Sequence, residues 1–447
     1  MPHFPKTLLV TCHTDSIGVG STFVAIKGCK CDGVTFIPQA LEKGATCIVV
    51  AEDAEVPCCT LKMIKQRDAL LMRVADTRLA LAQLSAQAYG YPAQSMKFIG
   101  ITGTKGKTTT TFLLEHILRS AGYRTALTST VKNSILGVDY PTALTTQQPD
   151  YLNAFFALCR DQKVQVVVLE VAAQAFSLHR VQGLLFDAAI FTNFSQEHGE
   201  FYPTQGEYFA AKAKIKQHLR LGAPLFYNAD DIRVTQFAKT VADRVPYTAA
   251  HTYECPQLVG TFNAYNISAA VACARFWGLS ESTIAAALKT FPGVPGRLDR
   301  YGLPNGAIAF IDKAHNPASF DAVLSALRSM TGHLVVVTGA GGDREKTKRP
   351  IMGDIASKIA DLVVITSDNP RSEDAAVIAE QIVAGVVLEN QHKVRVELDR
   401  EKAIRLAYQL SSAGSIIALL GKGPDEYEQV GAMKHPFSER EILKSLK

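Results

Sequence analysis

The sequence has no apolar run near the roughly 18 residues that a membrane-spanning helix requires. Its opening residues, MPHFPKTLLVTCHTDS, lack the apolar core of a signal peptide. A cytoplasmic protein without a membrane span is therefore expected. No Cys-x-x-Cys pair occurs among the nine cysteines, and no His pair follows them. That argues against a structural zinc site and for free thiols in a reducing compartment. No fixed-period repeat or low-complexity tract is present, which sets aside solenoid arrays. Excess charge of one sign is also scarce, at a net +5 over 447 residues. It is too dispersed for a nucleic-acid partner, although it suits an anionic substrate. The Asn-Lys-x-Asp guanine motif is missing as well, which counts against a GTPase.

What is present is ordinary globular material, 47% apolar and 20% charged, enough for several domains. Two Pro/Gly-rich breaks, YGYPAQSMK and FPGVPGR, divide the chain into residues 1–93, 94–294 and 295–447. In the first part, 23–26 and 47–51 read as short strands, and a helix over 36–43 ends at Gly44. In the second, strands at 98–102, 164–171 and 188–192 alternate with helices such as 108–120. Continuous apolar strands separated by helices predict a parallel sheet covered on both faces. In the third, four apolar runs end in the polar motifs DKAHNP, TGAGGDR, TSDNPR and GKGPDEY. Loops that follow parallel strands emerge on one edge of the sheet, so these four motifs should converge on a single rim.

GITGTKGKTTTTF, residues 100–112, has the chemistry of a phosphate loop. The strict G-x-x-x-x-G-K-[ST] pattern fails, because Ile101 stands where its first glycine should be. The physical requirements remain. Gly103 and Gly106 allow a tight backbone that aims N–H groups at phosphate oxygens, with Thr104 and Lys105 between them. Lys107 brings a cation to the β/γ-phosphates, and Thr108, followed by Thr109, offers a hydroxyl to Mg²⁺. A strand before and a helix after complete the context. Glu170, at the end of VVVLEV, can reach a cation held by Thr108. His198 and Lys212, taken singly, read as surface residues.

The stretches TGTKGKTT, LEVAAQAFSLHRV, FTNFSQEH, YFAAKAKI, GTFNAYNISAAVA, VPGRLDRY, DKAHNPASFDAVL, TGAGGDREKTKRP, SDNPR and GKGPDEY occur in that order. Together they resemble the Mur ligase family, in particular its tripeptide-synthesising branch. TDSIGVGSTFVAIKGCKCDGVTFIPQALEKGA resembles that family's uridine-binding domain. The resemblance implies an α/β protein of three domains. These are a small uridine-binding domain, a central P-loop ATPase-like parallel sheet, and a C-terminal Rossmann-like domain for the amino acid. It also implies the reaction. ATP phosphorylates the D-Glu carboxylate of UDP-N-acetylmuramoyl-L-Ala-D-Glu. The amine of a diamino acid, meso-diaminopimelate, then displaces phosphate to make an amide. The enzyme is expected to act as a monomer.

The same resemblance assigns roles. Thr108 and Glu170 hold one Mg²⁺ and His198 a second. Lys212 carries CO₂ as a carbamate bridging metal and substrate. Asn266 approaches the adenine, and Arg297, Asp312, His315 and Asn316 join the nucleotide from the third domain. A turn or cap role for Asp312 and Asn316 is the plainer alternative. Ser16, Thr145, Thr146 and Arg180 touch the UDP-sugar. Asp368, Asn369, Pro370 and Arg371, with Arg344, Gly421 and Asp425, hold the amino acid. Arg371 suits the far carboxylate of meso-diaminopimelate. The chain departs from the family pattern mainly at substrate contacts: Ile17, Ala172-Ala173-Gln174, Leu178, Lys313 and Pro424-Asp425. An L-lysine-adding or otherwise divergent amide ligase, or an ATP-binding paralogue without turnover, therefore stays open.

Overall fold

The computed structural model describes residues 3–28, 31–140, 142–195, 201–250 and 253–447. They form two compact units, Met1–His251 with Tyr265–Ala287, and Thr252–Ala264 with Leu288–Lys447.

The first unit contains two sheets. The smaller has four parallel strands in chain order, β1 (Val10–Thr11), β2 (Thr22–Val24), β3 (Cys47–Ala51) and β4 (Leu70–Val74). The run CIVVA of β3 is apolar throughout because both of its faces are covered. Ile48 and Val50 pack with Phe23, Ile37 and Leu41 on one face, and Val49 packs with Val24 and Leu81 on the other.

The larger sheet comprises β5 (Lys97–Thr102), β6 (Thr125–Thr128), β7 (Asn133–Ile135), β8 (Val138–Tyr140), β9 (Val166–Glu170), β10 (Ala188–Phe191), β11 (Leu225–Asn228) and β12 (Arg244–Tyr247). Its order is β12-β11-β10-β5-β9-β6-β7-β8. Six strands are parallel, but β7 and β8 are antiparallel. The expected parallel sheet is present, with an antiparallel extension at one edge. Short strands joined by the tight turn at Leu136-Gly137, both at positive φ, extend one edge. Phe98, Val167, Leu169, Phe186 and Phe191 form its core with Phe155 and Phe156 of the helix Pro149–Asp161. Gly100 is required inside β5 because a Cβ there would lie 2.8 Å from the Phe186 ring.

Asp150, in the first turn of that helix, joins the two sheets. Its buried carboxylate accepts from Thr11 Oγ1 at 3.0 Å and from the Cys12 N–H at 3.2 Å.

The second unit holds β13 (Asp299–Gly302), β14 (Ile308–Asp312), β15 (Leu334–Thr338), β16 (Leu362–Ile365), β17 (Val394–Val396) and β18 (Ile416–Leu420) in the order β13-β14-β18-β15-β16-β17. All neighbours are parallel except β13, which runs against β14. An antiparallel hairpin, β19 (Tyr427–Val430) and β20 (Met433–Pro436), follows. No helix among the described residues is long and apolar enough to cross a membrane.

Burial, and next the Asp150 carboxylate, push the Cys12 thiol well above its usual range. Asp150→Ala is expected to cost about 1–3 kcal/mol in denaturant unfolding by orphaning the Thr11 and Cys12 donors. It should also speed alkylation at Cys12, followed by peptide mass mapping. An unchanged rate contradicts the link.

Candidate active site

Strand register levels the site. Ile101 of β5 is opposite Glu170 of β9, and Thr102 is opposite Phe191 of β10. The loops leaving these three strands therefore start side by side. Gly103 has φ +140° and Gly106 φ +82°, and a Cβ would lie 1.9 Å from Thr192 Oγ1 at the first and 2.3 Å from Asn266 Oδ1 at the second. Only glycine fits either place. The loop is pinned from β10: Thr104 N–H donates to the Asn193 carbonyl, Lys105 N–H to Asn193 Oδ1, and Thr192 Oγ1 to the Lys105 carbonyl at 2.6 Å.

The helix Lys107–Ser120 opens directly after the loop, so its N-terminal N–H groups face the same space. Lys107 Nζ donates to the Thr104 carbonyl at 2.8 Å. Thr108 Oγ1 lies 3.1 Å from both Glu170 oxygens, and Thr109 is buried beside it. Thr130, which sequence reasoning missed, closes the same carboxylate with its N–H at 3.0 Å and its Oγ1 at 3.1 Å, and Thr145 Oγ1 lies 3.1 Å from the Thr130 hydroxyl. The donors here are hydroxyls and one carboxylate. An all-oxygen set with a single carboxylate fits Mg²⁺, which keeps much of its water, better than a softer metal. No group of three or more His, Cys, Asp or Glu suited to a metal occurs among the described residues. His198 lies outside them.

Lys212 is buried on the helix Gln205–Ala213, whose start is fixed by a Thr204–Glu207 capping box. Its Nζ donates to the Gly103 carbonyl at 2.6 Å and sits 4.4 Å from the Tyr208 ring centre. The side chain is thus brought to the phosphate loop. Asn266 is also brought there, accepting from Thr110 Oγ1 at 3.3 Å.

Thr146 Oγ1 donates to the Glu170 carbonyl and accepts from Ala172 N–H, and Arg180 Nη1 donates to the Thr146 carbonyl at 3.0 Å. Burial, then Arg78, lowers the affinity of Arg180 for its proton, and its buried Nε has no partner among the described residues. That unsatisfied donor suits an anion. Ser16 ends the turn Thr14–Ser16, and no hydrogen bond joins it to Thr145, Thr146 or Arg180 among the described residues. A cavity of about 1110 Å³ opens at the opposite strand ends, lined by Lys97 and Val166. It contains none of the site residues.

In the second unit Asp312, Thr338, Ile365 and Leu420 are level across four adjacent strands. The four polar motifs do share one rim. Asp312 is buried and accepts from Leu298 N–H at 2.8 Å and Ala314 N–H at 2.7 Å. Burial raises its pKa, opposed by Arg297 and these two donors. Asn316 caps the helix Pro317–Arg328. His315 Nδ1 is 2.7 Å from the Lys313 carbonyl, so that nitrogen carries the proton. Arg297 Nη1 donates to the Gly296 carbonyl at 3.3 Å, and Arg344 is exposed.

Lys422, fully buried and missed by sequence reasoning, ties the rim together. It donates to the Asp368 carbonyl, Asn369 Oδ1 and the Tyr427 carbonyl at 2.9–3.3 Å. Its place between two glycines directly after an apolar strand was the available signal. Gly421, at φ +110°, leaves room for Asp368 Oδ2. Pro370 is buried, and Arg371 sits at φ +52° with Nη1 on the Gly342 carbonyl. Asp425 Oδ2 accepts from Lys313 Nζ at 2.5 Å, an internal counter-ion at two of the departing positions.

Three family profiles cover most of the chain. They are the Mur ligase family catalytic domain over residues 9–89, the Mur ligase middle domain over 101–255, and the Mur ligase glutamate ligase domain over 296–423. A Synechococcus elongatus relative is 36% identical over 452 residues, covering 94% of this chain and 90% of its own. One from Bacteroides thetaiotaomicron is 33% identical over 457 residues, covering 96% and 93%. The chain belongs to the Mur ligase family.

Both relatives are named UDP-N-acetylmuramoyl-L-alanyl-D-glutamate–2,6-diaminopimelate ligase. A solved structure with that name is 24% identical, covers 98% of this chain and 94% of its own, and has a TM-score of 0.64. The MurF ligase of Thermotoga maritima in complex with ADP is 19% identical, covers 94% and 95%, and has a TM-score of 0.65. These two likenesses establish the Mur ligase fold.

Gly103→Ala is expected to weaken ATP binding at least tenfold by calorimetric titration, since the strained φ alone costs roughly 1–3 kcal/mol. Asp312→Asn replaces one acceptor oxygen with an NH₂ that faces a backbone donor. It should lower unfolding stability by about 1–3 kcal/mol, measured in urea.

Proposed function

We propose that this Mur ligase couples ATP cleavage to amide formation, adding meso-diaminopimelate to the D-Glu carboxylate of UDP-N-acetylmuramoyl-L-alanyl-D-glutamate. The observation that carries the reading is full-length identity of 33–36% to relatives bearing that activity in their names. The product is a peptidoglycan precursor, used for wall growth, cell shape and division. In this reading residues 1–93 bind the UDP-sugar, 94–294 the ATP and 295–447 the amino acid.

A carboxylate is a poor electrophile, because hydroxide is a poor leaving group. Transfer of the γ-phosphoryl group to the D-Glu carboxylate makes an acyl phosphate, and the acceptor amine then expels inorganic phosphate. The transfer itself is mostly positioning and charge neutralisation. Gly103, Thr104, Lys105, Gly106 and Thr109 line the phosphate path, and Lys107 moves its cation from the Thr104 carbonyl to the β/γ-phosphates. Thr108 and Glu170 would hold one Mg²⁺ and His198 a second; bound Mg²⁺ supplies neutralisation of the phosphate oxygens. A carbamate on Lys212 would keep one N–H for the Gly103 carbonyl and would supply negative charge for Mg²⁺ binding. Asn266, Arg297, Asp312, His315 and Asn316 serve the nucleotide. Ser16, Thr145, Thr146 and Arg180 serve the UDP-sugar, and Arg180 Nε, a buried donor with no partner among the described residues, supports an anionic ligand there.

The acceptor is read at the second rim by Arg344, Asp368, Asn369, Pro370, Arg371, Gly421 and Asp425. Arg371 offers a planar fork to the second carboxylate of meso-diaminopimelate, which L-lysine lacks. The eight described cysteines are all free thiols, as in a reducing cytoplasm. The enzyme works there as a monomer.

Incubation with ATP, UDP-N-acetylmuramoyl-L-Ala-D-Glu and a panel of amino acids, read by product mass, is expected to give product with meso-diaminopimelate. Product with L-lysine instead rejects the acceptor assignment. Arg371→Ala should cut kcat/KM for meso-diaminopimelate by roughly 100-fold, the equivalent of about two charge-assisted hydrogen bonds. Lys212→Ala should be inactive and partly restored by acetate; full activity without rescue removes the carbamate from the mechanism.

A further inference from the structure

Arg349 has no exposed side-chain surface and belongs to none of the assignments above. It lies in the first turn of the helix Lys348–Ile359. Its fork meets Glu373: Nη1 donates to Oε2 at 2.8 Å and Nη2 to Oε1 at 2.9 Å. Nη1 also donates to Gln381 Oε1 at 2.6 Å, and Nη2 to the Gly341 carbonyl at 3.2 Å. Glu373 Oε1 accepts the Asp343 N–H at 2.7 Å, and Lys346 Nζ lies 3.3 Å from Oε2. Hydrogen bonds from Arg349 hold the Glu373 carboxyl down to about 2.

Gly341 and Asp343 on one side and Glu373 on the other belong to two separate loops, while Gln381 lies on the helix Ala375–Val383. One loop, 339–344, carries Arg344, and the other, 368–373, carries Arg371. Further bonds join them: Gly342 N–H to the Asn369 carbonyl at 2.9 Å, Arg371 Nη1 to the Gly342 carbonyl at 2.6 Å, and Ser372 Oγ to Asp343 Oδ1. The approach is close enough that a Cβ on Gly342 would lie 1.8 Å from the Pro370 carbonyl oxygen. Arg371 itself sits in the left-handed region, which persists only when its surroundings over-determine it. Its Nε and Nη2 make no hydrogen bond among the described residues, leaving that edge for an anion. A bidentate ion pair between the buried Arg349 and the partly exposed Glu373, at the base of both loops, is the strongest of these constraints.

We propose that Arg349 and Glu373 form a positioning latch that joins the two acceptor loops and fixes the Arg371 guanidinium. The pair sets affinity for the carboxylate-bearing acceptor without touching any substrate. This rests on the amide-ligase reading above.

The test measures KM for ATP, UDP-dipeptide and meso-diaminopimelate in Glu373→Gln and Arg349→Lys. Both are expected to raise the acceptor KM by roughly ten- to a hundredfold, the scale of an ångström's misplacement. The other two KM values and kcat at saturating acceptor should stay within about threefold. A purely structural role predicts less folded enzyme with all three KM values unchanged, and that result overturns the latch. Gly341→Ala guards against failure to fold. Its Cβ would lie 2.9 Å from Arg371 Nη1, so it should raise the acceptor KM with the ion pair intact. If the wild type releases no phosphate with any amine, the functional reading fails instead. The latch is then read by amide exchange at 341–343 and 371–373, which Glu373→Gln accelerates if the pair holds the loops and leaves unchanged if it does not.

Discussion

The hydrogen bonds between Thr108 and Glu170 depend on a register: β5 and β9 must lie side by side with Ile101 opposite Glu170. A one-residue slip would turn the Glu170 carboxylate to the other face of the sheet and separate it from the phosphate loop. The apolar run VVVLE is fixed by burial on both faces, so slippage would cost core packing as well. The oxygen-lined centre is therefore held by the same contacts that make the sheet.

Parallel strands need crossovers, and crossovers return every following loop to the same edge. That geometry is used twice. In the first unit it levels the phosphate loop, Glu170 and Thr192-Asn193; in the second it levels DKAHNP, TGAGGDR, TSDNPR and GKGPDEY. Buried cations then stitch neighbouring loops. Lys212 binds the phosphate loop, and Lys422 binds the Asp368-Asn369 turn. For Lys422 the cost of burying an ammonium is offset by three oxygens at hydrogen-bond distance.

Much of this was legible from residue types. Gly103, Gly106, Lys107 and Thr108 announce a phosphate loop even with Ile101 breaking the strict pattern, because the backbone angles and charges are what phosphate requires. The strand ends were legible because burial demands continuous apolar runs. Thr130, Asp150 and Lys422 were not legible. A threonine, an aspartate and a lysine are common on surfaces, and only the fold reveals that these are buried against distant partners. The antiparallel β7 and β8 escaped because three-residue strands are too short for a periodic signal.

The sequence alone determined the strands that end in polar motifs, the phosphate-binding chemistry and the family, since those rest on local steric needs and on residues adjacent in the chain. Tertiary structure decided which of the singled-out side chains meet: Glu170 with Thr108, Lys212 with Gly103, Asp425 with Lys313. It also gave Asp312 and Asn316 the turn and cap roles that stood as the plainer reading of their motifs. The reason is physical: a contact between residues sixty or a hundred positions apart is set by strand order and register, which come from packing the whole sheet and leave no mark in any short stretch of sequence.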